Sequence, residues 1–367
     1  MSAPTIVVTG AFGQVGRRVT DILLDRGCRV VALGRASQRA RTVAQEMIVS
    51  APAGRLIPAF VDMLDSQGVV QVLADHEPEA IVHLAAVVPP ASYRNPQGAS
   101  EINVEGTRLL LAAARRVPTP PFMVLASSAA VYGSRNPHRH PELVTAETPV
   151  NPIDRYGQDK VVAEAAVAGS GLPYCILRLG GIISPDVAAE VNRGYLLLMR
   201  ATPGDNPLHT VDSRDAGLAL ANACDRRDLV AGKVLMIGGD SSHVHTHRDV
   251  VDDLIATVGL GHLGGSVCLP GDPNDEHGWA FTGWFDTAES QALLDFQQHD
   301  WASTVHWVAQ SQARRRLVLR PAGPVLRPLI RVALALQRRS EHRGPYADPW
   351  RLISATYGAA ALAQPLS

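Results

Sequence analysis

The tyrosine and lysine of the segment Tyr156-Gly-Gln-Asp-Lys160 have a spacing that suits acid–base chemistry. Residues four apart lie on one face of an α-helix, so a helix here would hold the phenol beside the ammonium group. A tyrosine with a reference pKa of about 10 is a poor base near neutral pH, but an adjacent cation favours its charged form. The pair could then pass a proton to or from a carbinol oxygen while hydride moves to or from a nicotinamide. The chain has only two lysines, Lys160 and Lys233, so a chance match is improbable.

A glycine-rich segment lies between the first predicted strand, Thr5–Thr9, and the first predicted helix, which runs from Val15 to Arg26. Its first glycine permits a tight turn, its second lets the backbone approach a pyrophosphate, and its third allows close packing of helix on strand. The helix N-terminus offers unpaired N–H groups and a partial positive charge to phosphates. The segment therefore predicts a dinucleotide site and not merely a glycine-rich turn. The residues expected to contact the cofactor are Gly10, Phe12, Gly13, Gln14, Val15 and Gly16.

The end of the second predicted strand, Ala32-Leu-Gly34-Arg35, indicates which dinucleotide fits. An acidic residue at this point would hydrogen-bond the adenosine ribose of NAD, whereas a nearby arginine suits the 2′-phosphate of NADP. Because Arg35 stands where the acid would be, NADP is the favoured cofactor and NAD is the alternative. A solvated surface arginine without a ligand is the competing interpretation of Arg35.

The elements that must position these residues are short apolar runs that alternate with longer helical stretches. The runs are Thr5–Thr9, Arg29–Leu33, Leu56–Val61, Ala80–Leu84, Phe122–Leu125, Tyr174–Leu177 and Val234–Ile237. Continuous apolar strands separated by helices predict a parallel sheet that is covered on both faces. The predicted fold class is therefore α/β, a doubly wound parallel sheet with its ligand crevice beyond the carboxyl ends of the strands.

The chain divides into three predicted parts. Residues 1–180 with about 210–240 form a dinucleotide-binding Rossmann domain, and residues 181–209 with 241–312 form a smaller substrate-binding region. Residues 313–367 form a basic amphipathic tail, with nine arginines and a single acid, Glu341, between 313 and 343. The tail could dock its apolar side on the protein body or a partner subunit, or lie on an anionic membrane surface. Docking is favoured over membrane contact, because Pro324 and Pro328 shorten any free amphipathic helix.

Composition and charge exclude several classes of protein. Of the 367 residues, 46% are hydrophobic and 19% are charged, which is enough apolar material for a sizeable core. A net charge of −1 argues against nucleic-acid binding through phosphate contacts. No apolar run reaches the roughly 20 residues that span a bilayer, and the first residues lack the basic region of a signal peptide. The four cysteines are far apart, so a reduced, cytoplasmic setting is expected.

Three alternating histidines, His243, His245 and His247, suggest a metal site because imidazole is a common ligand. Neither a carboxylate nor a cysteine completes an obvious ligand set around them. Thr246 also occupies the capping position of a helix predicted to begin at Asp249. We therefore predict no metal.

A segment that bears hydroxyl groups, Ala126-Ser127-Ser128-Ala-Ala-Val-Tyr132-Gly133, follows the predicted strand Phe122–Leu125 and so lies at the same crevice. In order, Thr-Gly-x-x-Gly-x-x-Gly, His83-Leu-Ala-Ala86, Asn103, Ser-Ser-x-x-Val-Tyr-Gly and Tyr-x-x-x-Lys resemble the extended short-chain dehydrogenase/reductase family. That family includes NAD-dependent nucleotide-sugar epimerases and dehydratases. The resemblance covers about residues 5–240, and the combined order of the motifs is highly specific.

The resemblance implies catalytic roles for three residues. Ser128 would hydrogen-bond the reacting oxygen, and Tyr156 would be the acid/base. Lys160 would hold the nicotinamide ribose and lower the pKa of the tyrosine, while Asn103 would support the helix behind it. The family further implies a small-molecule substrate and a homodimer.

The resemblance also implies further contacts with the cofactor. Asp62 and Met63 would flank the adenine, in the segment Val-Asp-Met-Leu-Asp that follows the third predicted strand. The other residues expected at the cofactor by this resemblance are Leu84, Ala85, Ala86, Asn103, Tyr156, Lys160 and Gly181.

Two departures from the family pattern bear on the reaction. Sugar 4,6-dehydratases of the family carry an acidic pair just after the catalytic hydroxyl, where this chain has Ala129 and Ala130, so elimination is not expected. Many of its nucleotide-sugar enzymes have asparagine where this chain has Gly181, which argues against a sugar-diphosphate substrate. The leading hypothesis is an NAD(P)-dependent oxidoreductase that interconverts a carbonyl and a secondary alcohol. A nucleotide-sugar epimerase with tightly bound NAD is the alternative, and a non-catalytic dinucleotide-sensing regulator is the third hypothesis.

Overall fold

A seven-stranded parallel sheet is the centre of the protein, whose computed structural model describes residues 3–186, 192–264, 267–280 and 283–364. Numbered along the chain and given in spatial order, its strands are β3 (Leu56–Phe60), β2 (Arg29–Gly34), β1 (Thr5–Thr9), β4 (Ala80–His83), β5 (Phe122–Ser128), β6 (Tyr174–Leu179) and β9 (Val234–Ile237). The strand order reverses between β1 and β4, so the loops that follow these strands diverge and leave a crevice. The predicted doubly wound α/β fold is confirmed.

Helices cover both faces of this sheet. Successive side chains of a strand point to opposite faces, and in these strands both sets are apolar and must be buried. Ile6 and Val8 of β1 pack with one set of helices, whereas Val7 between them packs with the other set. The first set is α1 (Gln14–Asp25), α2 (Gln38–Ser50) and α9 (Ser213–Asp225). The second set is α3 (Ser66–His76), α6 (Gly106–Ala114) and α7 (Arg155–Ala168).

Shorter elements fill the connections between the main strands. A second sheet has the order β10 (Val244–Thr246), β8 (Pro207–Asp212) and β7 (Gly181–Ile183). The helices outside the two main layers are α4 (Ala91–Arg94), α5 (Pro96–Ser100), α8 (Arg193–Ala201), α10 (Arg227–Val230), α11 (His247–Thr257), α12 (Ala288–Leu294), α13 (Trp301–Ser311), α14 (Ala313–Ser340) and α15 (Pro349–Tyr357). A π-helix, Glu101–Glu105, precedes α6, and 3₁₀ turns occur at Ala129–Tyr132, Ser241–His243 and Ala359–Ala361.

The long helix α14 runs without a break through Pro321, Pro324 and Pro328, where the sequence predicts a shortened helix. Each of these prolines removes one hydrogen bond to the carbonyl group four residues earlier. All three prolines are exposed, so water can reach the carbonyl groups that lose their partners. In the described part of the chain, none of the helices combines the length and the hydropathy needed to cross a bilayer.

The segment 347–364 folds back onto the start of α7. Its Trp350 and Ile353 pack with Tyr93 in a small apolar cluster. Further along, Ala363 N donates a hydrogen bond to the carbonyl oxygen of Ile153 at 3.0 Å. The side chain of Gln158 in α7 accepts a hydrogen bond from Gln364 N at 3.1 Å and donates one to its carbonyl oxygen at 2.7 Å. This segment thus contacts the chain on both sides of Tyr156.

Candidate active site

The turn after β1 lies directly against the end of β4. Gly10 has φ +67°, and a Cβ atom there would lie 2.9 Å from both the carbonyl carbon of Leu84 and the nitrogen of Ala85. The turn therefore requires glycine for its conformation and for its space. Thr9 Oγ1 accepts hydrogen bonds from Leu84 N (3.2 Å) and Ala85 N (3.1 Å), which fixes the two loops side by side. Gly13 at the N-cap of α1 has no side chain to compete for the first-turn N–H groups, which a phosphate needs.

A groove of about 370 Å³ opens between these two loops and the start of α2. Nine residues expected at the cofactor line it: Gly10, Phe12, Gly13, Arg35, Asp62, Met63, Leu84, Ala85 and Ala86. The rest of the lining is Gly34, Ser37, Arg39, Ala40, Val87 and Ile102. Backbone N–H groups at a helix start, small apolar residues and a basic end are the features that a dinucleotide needs, so these residues fit one.

Two exposed arginines lie at the end of the groove beyond β2. Arg35 follows the last residue of β2, and Arg39 lies in the first turn of α2. Between them, Ser37 caps α2 by accepting a hydrogen bond from Ala40 N at 3.0 Å. Motif spacing misses Arg39. The sequence feature that indicates Arg39 is its position four residues after Arg35, at the start of a helix. Both guanidinium groups can contact one anion there.

Seven residues expected at the cofactor lie outside the lining of this groove, and three of them, Asn103, Tyr156 and Lys160, are described below. Gln14 Oε1 accepts a hydrogen bond from the Ser184 hydroxyl at 2.7 Å. Val15 and Gly16 are buried within α1, where a side chain on Gly16 would collide with the carbonyl oxygen of Gly10. Gly181 is the first residue of β7 and pairs with Thr210 of β8. The two glycines thus serve close packing at these positions.

The end of β5 and the first turns of α7 bring Ser128, Tyr156 and Lys160 together. Ser128 is the last residue of β5, and its hydroxyl hydrogen-bonds that of Tyr156. Lys160 lies one helical turn after Tyr156, with its Nζ 5.9 Å from the centroid of the tyrosine ring. The same Nζ donates a hydrogen bond to the carbonyl oxygen of Ala126 at 2.8 Å, which holds the ammonium group against β5. A hydroxyl, a phenol and a cation thus meet at one point of the crevice.

The pKa of Tyr156 is shifted in the direction opposite to the one expected from its lysine neighbour. Burial of the phenol, which is 8% exposed, raises its pKa well above 10. The hydrogen bond with Ser128 lowers the pKa, whereas the carboxylates of Asp154 and Asp159 raise it. The protein by itself therefore keeps the Tyr156 phenol protonated, because desolvation outweighs the favourable contact.

Burial also lowers the pKa of Lys160, to about 8, although the carboxylates of Glu164 and Asp159 raise it. Glu164 is itself held by Arg178 of β6, whose Nε and Nη2 donate to the two carboxylate oxygens at 3.0 and 2.7 Å. The Ser127 hydroxyl donates to the same carboxylate. This buried ion pair fixes α7 on the sheet and places a negative charge one turn beyond Lys160.

Asn103, on the π-helix, joins the groove to α7. Its Oδ1 accepts a hydrogen bond from Val87 N at 2.7 Å, and its Nδ2 donates to Val87 O at 3.1 Å. Nδ2 also donates to Asp159 Oδ2 at 3.4 Å. Because Val87 lines the groove and Asp159 precedes Lys160, Asn103 connects the two parts of the site without lining the groove itself.

Asp154 and Tyr93 are two neighbours of Tyr156 that motif matching misses. Asp154 is the N-cap of α7 and is fully buried, with Gly157 N donating to its Oδ1 at 2.8 Å. The Tyr93 hydroxyl donates to its Oδ2 at 2.6 Å. Burial raises the pKa of Asp154 to about 7 despite these hydrogen bonds. The sequence feature that indicates Asp154 is its residue type, because aspartate is a preferred N-cap residue and this one lies just before Tyr156.

His243 and His247 make hydrogen bonds within the protein. His243 contacts Thr210 Oγ1 at 2.9 Å and the carbonyl oxygen of His299 at 3.0 Å. His247 Nε2 lies 2.8 Å from the carbonyl oxygen of Met199. In the ranges that the structure describes, no group of three or more histidine, cysteine, aspartate or glutamate side chains is arranged to hold a metal ion.

The chain is similar to several known proteins. A UDP-glucose 4-epimerase of Lactobacillus helveticus is 29% identical over 249 residues, which are 63% of this chain and 71% of that protein. Methionine adenosyltransferase 2 subunit beta of Bos taurus is 29% identical over 189 residues, 51% of this chain and only 48% of that relative. The solved structure of MoeE5 in complex with UDP-glucuronic acid and NAD shares the fold, with a TM-score of 0.66 and 21% identity over 84% of this chain and 99% of that one.

The family assignment rests on a match to a family sequence model. A sequence model of the NAD dependent epimerase/dehydratase family matches residues 6–239, which include the glycine-rich turn, the groove and the Ser128, Tyr156 and Lys160 cluster. The match extends from β1 to the end of β9, and so covers every strand of the parallel sheet. The chain belongs to the NAD-dependent epimerase/dehydratase family, of the extended short-chain dehydrogenase/reductase type.

Proposed function

We propose that the protein is an NADP-dependent oxidoreductase that interconverts a carbonyl group and a secondary alcohol. The observation that carries the choice of NADP is the pair of exposed arginines, Arg35 and Arg39, at the end of the groove beyond β2. An adenosine 2′-phosphate would bring its negative charge to this point, where guanidinium groups form strong, charge-assisted hydrogen bonds. The N-terminus of α2 adds its partial positive charge to the same place.

The proposed roles of the catalytic side chains follow from their positions. A bound nicotinamide would supply or accept the hydride. Ser128 would hold the substrate oxygen by a hydrogen bond, and Tyr156 would donate a proton to that oxygen as its negative charge develops. Lys160, whose pKa burial lowers to about 8, still carries its positive charge at neutral pH and would orient the cofactor ribose.

The direction favoured by the protein alone is reduction of the carbonyl. Burial raises the pKa of Tyr156, so the phenol holds its proton at neutral pH and is ready to act as a general acid. Elimination of water is disfavoured, because Ala129 and Ala130 follow Ser128 in the 3₁₀ turn and neither can move a proton. These features support a reductase over a dehydratase.

Epimerisation of a nucleotide sugar is the second candidate function, and it is favoured by the relatives named as UDP-glucose 4-epimerases. An epimerase would keep its NAD bound and would show no net oxidation or reduction. A non-catalytic sensing role is a third hypothesis, supported only by the relative that is named as a subunit of another enzyme. The presence of Ser128, Tyr156 and Lys160 argues against it, since a sensor needs no proton donor.

Nucleotide titration of an arginine variant tests the cofactor proposal. Arg35→Ala should weaken NADPH binding by about 1.5–3 kcal/mol, the contribution of a hydrogen bond to a charged group, and should leave NADH binding nearly unchanged. Arg116→Ala, which removes an exposed arginine outside the groove, is the matched control. Equal losses for both nucleotides in Arg35→Ala would overturn the assignment to NADP.

The reaction type is tested by following the cofactor. We expect NADPH to bind reversibly and to be consumed in the presence of members of a panel of ketones and aldehydes. A mass spectrum of nucleotide that purifies with the protein would show whether NAD is retained. Retained NAD, together with conversion of UDP-glucose to UDP-galactose and no NADPH consumption, would establish the epimerase hypothesis instead.

A further inference from the structure

Helix α14 exposes a row of aliphatic side chains along one side, called here the aliphatic stripe. Its members are Leu317, Val318, Val325, Leu329, Val332 and Leu336, and each is between 57% and 80% exposed. Val318, Val325, Leu329, Val332 and Leu336 are spaced by three, four or seven residues, which keeps them on one face of a helix that is about 42 Å long at 1.5 Å per residue, and Leu317 borders that face. Exposed leucines and valines that occur singly need no explanation, but a row this long marks an interaction surface.

The opposite side of α14 is fixed to the protein body. Gly323 is buried there, and a Cβ atom on it would lie 3.3 Å from the carbonyl oxygens of Gly259 and Leu260. Arg331 Nε donates a hydrogen bond to the carbonyl oxygen of Leu263 at 2.9 Å. The expected docking of the tail therefore uses this side only. The aliphatic stripe is held outward on a helix that cannot turn it inward.

The charge of α14 limits what can cover the stripe. The segment 313–343 has nine arginines and one acid, whereas the whole chain has a net charge of −1, so the remainder of the chain is negative. The helix itself, Ala313–Ser340, contains neither aspartate nor glutamate. Arg314, Arg315 and Arg339 are exposed and lie on or beside the stripe by helical spacing, so the surface that covers the stripe must carry negative charge near both ends of the helix.

A second copy of α14 does not meet this requirement. A symmetric dimer places the same patch of each copy against the other, so Arg314, Arg315 and Arg339, which helical spacing places on or beside the stripe, would face the same residues of the second copy. Protein interfaces are also enriched in aromatic residues and methionine, whereas the stripe contains only leucine and valine. An apolar side bordered by basic residues and a low mean hydropathy are features of a helix that lies in a membrane interface, and the opposite side of α14 already packs on the protein body.

We propose that α14 binds an anionic phospholipid surface, with the aliphatic stripe at the boundary between headgroups and acyl chains. A groove of about 730 Å³ between α13 and α14 adjoins the stripe at Leu317, and His306, Arg316 and Arg320 are among its lining residues. Its basic groups and apolar walls suit the phosphate of a lipid headgroup. The binding is peripheral and electrostatic in part, so it weakens as salt increases.

Vesicle flotation with the full chain tests this proposal. We expect the protein to float with vesicles of mixed phosphatidylcholine and phosphatidylglycerol at low salt, to float less at high salt, and to stay behind with pure phosphatidylcholine. The double variant Leu329→Glu/Val332→Glu should lose vesicle binding by roughly tenfold or more, because charges replace two exposed aliphatic side chains that would enter the membrane. Leu229→Glu, at a leucine of α10 that is 57% exposed, is the matched control and should bind like the wild type.

The double variant should keep its fold, since both positions are exposed, and its circular dichroism and NADPH affinity serve as checks. No flotation of the wild type with anionic vesicles would overturn the proposal, and so would binding that the double variant retains. Light scattering during size-exclusion chromatography tests the alternative that a second copy of the chain covers the aliphatic stripe. A dimer that the double variant converts to a monomer would mean that a second copy covers the stripe, and the lipid proposal would be wrong.

Discussion

Replacing Asp154 by asparagine should remove the pH dependence that this one buried carboxyl group imposes on folding. The carboxyl is inaccessible to water and accepts hydrogen bonds from Gly157 N at 2.8 Å and the Tyr93 hydroxyl at 2.6 Å. Burial nevertheless raises its pKa from 3.8 to about 7, because the charged form loses more hydration than the two donors restore.

The sign and the size of the effect follow from proton linkage. Between pH 3.8 and about 7 the unfolded chain has released this proton while the folded chain still holds it. The free energy of unfolding therefore falls as pH rises, by about 1.4 kcal/mol per pH unit and by about 4 kcal/mol in all. The stabilisation is fully present below pH 3.8 and is lost as pH rises through about 7. Asparagine is neutral throughout, is a preferred N-cap and keeps one acceptor for Gly157 N.

Urea unfolding of wild type and Asp154→Asn, measured at several values between about pH 5 and pH 8, gives the difference directly. The free energy of unfolding of the wild type should fall by roughly 3 kcal/mol relative to that of the variant over this range. Asp65→Asn, at the exposed N-cap of α3, controls for the loss of a capping carboxylate. A wild-type-to-variant difference that stays constant across the range would refute the reasoning, because it would mean that Asp154 is charged throughout.

Other predictions concern the proton donor, the cation beside it and the glycine-rich turn. Tyr156→Phe should reduce turnover by about 10²–10⁴-fold, the usual contribution of a general acid, and should leave nucleotide binding measured by fluorescence unchanged. Lys160→Met should weaken nucleotide binding as well as turnover, and unchanged nucleotide affinity would contradict its proposed role at the ribose. Gly10→Ala should lower the free energy of unfolding in urea by more than the 1–2 kcal/mol of a left-handed backbone. Gly171→Ala is the control, because Gly171 has φ +77° and no atom lies within 4 Å of the added Cβ. Its free energy of unfolding should fall only by the amount that the left-handed backbone conformation costs an alanine.

The parts of the molecule that sequence analysis predicts well are those set by local patterns. The apolar runs of β1, β2 and β4 match the strands of the structure to within a residue at each end. The conformation of Gly10 is implied by its place in the motif, and the structure shows both the positive φ and the close approach that demand it. The spacing of Tyr156 and Lys160 likewise places them on one helix, because four residues are close to one helical turn.

What the sequence could not predict depends on contacts between distant segments. The pKa of Tyr156 is set by how deeply β5, α7 and their neighbours bury the phenol, and spacing carries no information about burial. The partnership of Asp154 with Tyr93 joins residues that are 61 positions apart. The continuity of α14 through three prolines also could not be predicted from local sequence. Contacts with residues 259–263 hold the helix in place, and water can reach the carbonyl groups that lose their hydrogen bonds.

The contact of residues 362–364 with the start of α7 has a consequence for the order of folding. Gln158 and Gln364 are separated by 206 positions, so the ribosome makes the second roughly 10–40 s after the first at 5–20 residues per second. All seven strands of the parallel sheet, the last of which ends at Ile237, can pair within that interval, whereas the backbone just before Tyr156 must wait for its last hydrogen bonds. Nascent chains arrested before residue 362 should therefore bind nucleotide but should not turn over a substrate. The sheet is complete first, and the start of α7 is ordered last.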